Sequence, residues 1–377
     1  AKNNFLIEMF LMNEDEERLI YDYYGLDADS FRRKMDSLRA MKLEQYENLI
    51  ANYELSDDAR NIARASIDYI HYANMEIYPY MHKIRNNLDK IRELPRDFYA
   101  YRATLNANDN RLNYFRPYFN YIVAKINNLS YVHYMDDPGN DTEAIEKTLR
   151  SHIYKLHLVD SLMTDPGLKD NLYRNIAYIY FLSGRHPEND DKAFLEKFNA
   201  LSKNPEHIER VNSLYASIRG LQPGKLLPAV ALVSTQGDTV DMKDVHADAN
   251  KVFYFWSLDQ KNHIKNISDK VGELHKKYPS YRFIGININD DHKKWLKYIN
   301  AFCLGTDSQF RTADDYGRLR EKLVINNLNK VIITRGDGTI IDAFANIYNK
   351  ELETVLETHH SGEGKQEAAS RTDLVQR

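Results

Sequence analysis

Apolar positions in the first 219 residues recur with a helical period, and no alternating strand pattern interrupts them. A run from Asp29 or Ser30 to about Tyr53 sets Phe31, Met35, Leu38, Met41 and Leu43 close to one helical stripe. Ser56 opens the next helix. Its hydroxyl can take a free backbone N–H, and Asp57 and Asp58 complement the positive end. That helix continues past Ile67, Ile70 and Tyr72, and Pro79, which has no N–H to donate, is expected to kink or end it. A further helix is expected from about Arg111 to Met135, followed by a DDPGND loop and a helix opening near Asp141 or Thr142. Breaks at Asp165-Pro166-Gly167, Ser183-Gly184 to Pro187 and Asn204-Pro205 each precede a new amphipathic stretch. The result is about seven or eight helices without a fixed period, so residues 1–219 read as an irregular all-α domain and not a solenoid.

The pattern changes at Gly220-Leu221-Gln222-Pro223-Gly224, where the domain boundary is placed. ALVSTQGDTVDM reads as a hairpin around Gly237-Asp238, and VFYFW as a buried strand. A helix over about 262–277, the strand RFIGINI, helices around Trp295 and over 314–322, the hairpin KVIITRGDGTII and a last helix over 349–358 complete the order. Strands separated by single helices and closed by a hairpin describe a mixed three-layer α/β sandwich over 220–360. Residues 361–377 are polar and poor in large apolar groups, and are expected to be disordered.

Composition changes this picture little. The chain has 377 residues, more than one core usually supports, and 43% hydrophobic and 28% charged residues fit a folded chain in water. The net charge of -4 divides as about -5 over 1–220, about +1 over 221–360 and about 0 beyond, leaving no basic pole for nucleic acid. The apolar FLIEMFLM at 5–12 contains Glu8 and is too short to span a bilayer, and it lacks the form of a signal peptide. Tyrosines, 27 in all, concentrate before residue 220, and are expected mainly to pack their rings in the helical core. Tyr21, Tyr23 and Tyr24 cannot share one helix face.

Four segments in order, LLPAVALVSTQGDTVDMKDV, KVFYFWSLDQKNH, YRFIGININDD and KVIITRGDGTII, resemble the TlpA/ResA-like thioredoxins of the bacterial cell envelope. Pro228, Phe255, Trp256 and Asp337-Gly338 fit that family's lead-in proline, strand end and hairpin turn. The helical amino-terminal half also looks like the region preceding the thioredoxin domain in Bacteroidetes members. The resemblance implies a thioredoxin-like fold over about 140 residues, a periplasmic or envelope location, and thiol-disulfide chemistry at a Trp-Cys-x-x-Cys loop. Here the two cysteine positions fall on Gln260 and His263, and the cis-proline position on Asn329. Neither an amide nor an imidazole can attack a disulfide and be resolved as a thiol pair is, so ordinary dithiol exchange is not expected.

Other residues offer little chemistry. His263 with Asp259 could form a base or part of a metal site, but one histidine and one carboxylate are not a specific ligand set. Cys303, the single cysteine, excludes an intrachain disulfide. It reads as a core residue, with a one-cysteine peroxidase or mixed-disulfide role as the alternative. Trp256 and Trp295 are core anchors or groove walls, and Asn289-Asp290-Asp291 should end a strand and cap a helix. Neither a phosphate loop nor a nucleophile elbow nor an HExxH helix occurs, and no cofactor or metal is expected. The functional expectation is a redox-inactive thioredoxin-like envelope protein. It would bind a protein or peptide partner around Trp256, Asp259, Gln260, His263 and Asn329. The alternatives are oxidoreductase or peroxidase activity through Cys303, or a small ligand between the domains.

Overall fold

The computed structural model describes residues 2–90, 92–105, 108–134, 148–183, 186–301 and 305–360. The expected loop at 136–141 with the helix opening after it, the Gly184 break, Cys303 and the carboxy-terminal tail lie wholly or partly outside them. The chain forms two compact units that divide between Val211 and Asn212, inside a helix that continues to Gly220.

The helical region contains α1 (Lys2–Tyr23), α2 (Ala28–Asn52), α3 (Asp57–Arg85) and α4 (Arg116–Tyr134). It continues with α5 (Leu149–Leu162), α6 (Pro166–Ser183), α7 (Glu188–Leu201) and α8 (Pro205–Gly220). Asp27, and not Asp29 or Ser30, caps α2, accepting from the Ser30 N–H at 3.0 Å. Ser56 caps α3 as expected, accepting from the Ala59 N–H at 3.3 Å. Pro79 does not end α3, which runs to Arg85. The cost of the missing hydrogen bond is met by packing, because Tyr78 and Pro79 are buried and the Tyr78 ring stacks on Phe31 with centroids 4.2 Å apart. The helix expected from Arg111 begins instead as a short 3-10 turn, Asn110–Leu112, and α4 starts at Arg116.

The helical core is rich in aromatic rings. Tyr69 packs against Tyr118 and Tyr121, and Tyr180 stacks on Phe194. Tyr24, just past the end of α1, is buried while Tyr21 is exposed. Burial raises the hydroxyl pKa of Tyr69 and Tyr99 to about 12. α3 lies between α1 and α4 and runs in the same direction as both. Tyr24 O accepts from or faces His82 Nδ1 at 2.8 Å near their carboxy-terminal ends, and Tyr80 meets Tyr131.

The second unit contains β1 (Ala231–Val233), β2 (Thr239–Asp241), β3 (Asn250–Trp256), α9 (Lys261–Lys277) and β4 (Tyr281–Asn287). After them come α10 (His292–Ala301), β5 (Gln309–Thr312), α11 (Tyr316–Lys322), β6 (Lys330–Thr334), β7 (Ile340–Asn346) and α12 (Lys350–His360). The sheet order is β2-β1-β5-β4-β3-β6-β7. β3, β4 and β5 are parallel to one another, while β6 and β7 add antiparallel on one side and β1 and β2 on the other. β5 is absent from the sequence reading, because four residues with a polar first and third position give too little pattern.

Period-two alternation sends Val252, Tyr254 and Trp256 of β3 to one face, where they join Ile264 and Ile267 of α9, Trp295 and Ile299 of α10, and Leu352 and Leu356 of α12. Both tryptophans are therefore core residues. At the β1–β2 turn Gly237 has φ 92, a left-handed conformation that favours glycine.

Candidate functional site

The loop between β3 and α9 is held mainly from the main chain. Ser257 is buried, its Oγ accepts from the Asp259 N–H at 3.3 Å, and its carbonyl accepts from the Gln260 N–H at 3.1 Å. The Asp290 carboxylate reaches across from the β4–α10 turn and accepts from the Leu258 N–H at 2.8 Å and from the Asn287 side-chain amide. Asp291 caps α10, accepting from the Lys293 N–H at 3.0 Å. Of that acidic run, sequence reasoning assigned the cap and missed the loop anchor. The missed signal is that an aspartate next to a cap is free to turn back toward the strand end.

Gln260 is the N-cap residue of α9, and its exposed side chain makes no capping bond. His263 lies in the first turn with both ring nitrogens out of contact with solvent and without a hydrogen-bond partner. Burial lowers its pKa. The Leu328 main chain and the Asn329 side chain oppose this, lying near enough to favour the protonated ring without bonding to it. The structure thus brings His263 and Asn329 together and leaves Asp259 exposed, with no ion pair to His263 among the described residues.

Trp256 has 2% of its surface exposed. Its Nε1–H donates to Gln309 Oε1 at 3.2 Å, and Gln309 Nε2 donates to the Tyr254 hydroxyl at 2.8 Å. The structure places Trp256, expected beside a binding surface, in the core, where an indole at the end of a strand covered by helices is taken up. Gly285 on β4 makes room for this network, since a Cβ there would lie 2.7 Å from the Tyr254 hydroxyl oxygen.

Asn329 ends a segment braced from behind. Its carbonyl accepts from the Ile347 N–H at 2.9 Å. Val324, just past α11, has φ 51, a strained value for a β-branched residue. The adjoining carbonyls of Leu323 and Val324 accept from the buried Lys330 Nζ at 2.6 and 3.0 Å. Burial pushes the Lys330 pKa down to about 7, against the pull of the Asp342 charge. No cis peptide bond occurs among the described residues. Nor does any group of three or more His, Cys, Asp or Glu side chains there form a metal site.

A mixed sheet with a long helix following its interior strand β3, together with this loop-and-turn pair, defines a thioredoxin-like α/β domain that follows the helical region in the chain. Residues 251–340 match the thioredoxin-like family model. Among solved structures, the chain is similar to a candidate thiol-disulfide oxidoreductase of Bacteroides vulgatus, with 20% identity, 37% of this chain and 97% of that one covered, and a TM-score of 0.32. It is also similar to a thiol:disulfide interchange protein from Bacteroides sp., at 19% identity over 33% of this chain and 81% of that one, TM-score 0.28. A third is the thioredoxin domain of a thiol-disulfide oxidoreductase from Bacteroides vulgatus, at 16% identity over 36% and 99%, TM-score 0.27. No curated protein matches. Among the described residues no helix is long and apolar enough to cross a membrane.

Proposed function

We propose that this is a thioredoxin-like protein that no longer exchanges disulfides and instead uses the start of α9, with Asp259, Gln260, His263 and Asn329, to hold a protein or peptide partner in the cell envelope. The observation that carries the proposal is the chemistry at the helix start. A thiolate there would gain from the helix dipole and the free N–H groups, but Gln260 has no acidic proton to lose and His263 is held toward its neutral form. With one cysteine in the chain, an intrachain dithiol cycle has no second sulfur. The envelope location rests on the TlpA/ResA-like resemblance of the residues.

The test is reduction of insulin by dithiothreitol. The protein should leave the rate unchanged, and the double variant Gln260→Cys/His263→Cys should form an internal disulfide and accelerate turnover. Acceleration by the unmodified protein, abolished by Cys303→Ser, would establish the oxidoreductase reading instead. For the docking surface, the measurement is photo-crosslinking from position 260 in envelope extract. One recurrent partner lost on Asn329→Arg is the expected result, and labelling indistinguishable from that at an exposed α9 position such as Lys276 would sink it.

A further inference from the structure

The helical unit contains a second feature, independent of the thioredoxin-like site. α1, α3 and α4 leave between them an open groove of about 980 Å³. Its length along α3, from Ile70 to Met81, is about 16 Å at the helical rise, enough for about five residues of extended chain. Ile20, Ile70, Ile77, Met81 and Val123 supply apolar wall, and Phe10, 60% exposed, stands at the rim.

The polar lining is unusual in kind. Five asparagines face the groove: Asn13, Asn74, Asn120, Asn127 and Asn128. Asn13 and Asn74 spend their carbonyl oxygens on Lys42 Nζ and the Tyr24 hydroxyl and keep their NH₂ groups. Asn128 does the reverse: its NH₂ donates to Glu76 and Tyr99 and its oxygen stays open. The side chains of Asn120 and Asn127 make no hydrogen bond among the described residues, and they sit two turns apart on α4. The carboxylates beneath are already neutralised. Glu16 pairs with Lys42 and Glu76 with Arg102, and neither cation lines the groove. Two charges remain unpaired among the described residues, Arg116 at the start of α4, level with the beginning of the α3 lining, and Glu17 on α1, further along the groove and short of Ile20.

A neutral lining of separate amide donors and acceptors matches a ligand that presents both at regular intervals, as a peptide main chain does. The aliphatic walls suit its side chains. A sugar site would set open aromatic faces along its floor, and here Tyr80 and Tyr131 pack edge to face on each other, with centroids 5.3 Å apart at 81°, leaving Phe10 at the rim as the exposed ring. We propose that this groove binds an extended peptide segment of about five residues, aliphatic in the middle, with an acidic side chain facing Arg116 and a basic one facing Glu17 further along.

The test is fluorescence anisotropy of the full chain with three labelled, end-blocked probes: Glu-Val-Ala-Val-Lys, Glu-Val-Ala-Val-Glu and Lys-Val-Ala-Val-Lys. The first should bind about threefold to fivefold more tightly than either of the others. Arg116→Glu should move the preference to the Lys-Lys probe, and Asn120→Ala/Asn127→Ala should weaken every probe about tenfold. Residues 116 and 120 are exposed, and Asn127, half-buried, makes no side-chain hydrogen bond among the described residues, so these changes should leave the thermal melt in place. Three results would each overturn the proposal: no binding of any probe, a preference that ignores Arg116→Glu, or displacement of the bound probe by maltohexaose.

Discussion

Two glycines of the thioredoxin-like domain show how far a single side chain matters. A Cβ on Gly285 would run into Gln309 and Tyr254, both buried and bonded to each other, so neither can step aside. Gly285→Ala is expected to cost about 1–3 kcal/mol in urea unfolding. Gly272 lies in the interior of α9 with nothing within 4 Å of where its Cβ would be, so Gly272→Ala should stabilise by about 0.5–1 kcal/mol. Nothing in the sequence separates these two positions. Gln260 and His263 are different, because the motif frame around Phe255-Trp256 located them at the helix start before any coordinates. For Trp256 the order of residues gives its place on the strand, whereas its burial depends on α10, which closes over it from nearly forty residues further along.

Among elements, those with a strong period or a cap were legible. α3 starts where Ser56 and its two aspartates put it, and α9 and β4 fall within a residue of the pattern. The end of α3 was not legible. Whether proline stops a helix depends on what tertiary packing returns, and here the rings of Tyr78, Phe31 and Phe98 continue the helix through Pro79. The β3–α9 loop depends in the same way on a distant group. Asp290→Ala removes the acceptor for the Leu258 N–H, and should speed hydrogen exchange at residues 257–260 and cost about 1–3 kcal/mol. Asp291→Ala loses only a helix cap and should leave exchange in that loop unchanged.

Taken whole, the molecule should be most stable on the alkaline side of neutrality. Burial lowers the His71 and His152 pKa values to about 4, against 6.5 when unfolded. The unfolded chain therefore binds more protons between those values, and stability present above pH 6.5 drains away as pH falls toward 4, by as much as about 3 kcal/mol for each histidine. Lys330 acts in the same direction at higher pH. With a folded pKa of about 7, its contribution rises from there toward the unfolded value near 10.4. Beyond about pH 10 the buried tyrosines reverse the trend, since the unfolded chain loses phenol protons first. Melting temperature against pH should peak between about pH 8 and 10, and Lys330→Met should flatten the rise above pH 7 while leaving the acid limb intact.

The outer strand of the sheet carries its own stopper. β7 closes one side, with the chain around Leu226 bridged to Thr339 at its beginning and the Phe344 N–H taken at 2.8 Å by the neighbouring Asp342 carboxylate. A visiting polypeptide finds its hydrogen-bonding row interrupted at both places, so recruitment by strand addition, the usual doorway to fibrils as well as to some complexes, is blocked on this flank. A chain that meets this flank must therefore be gripped by side chains and helix ends.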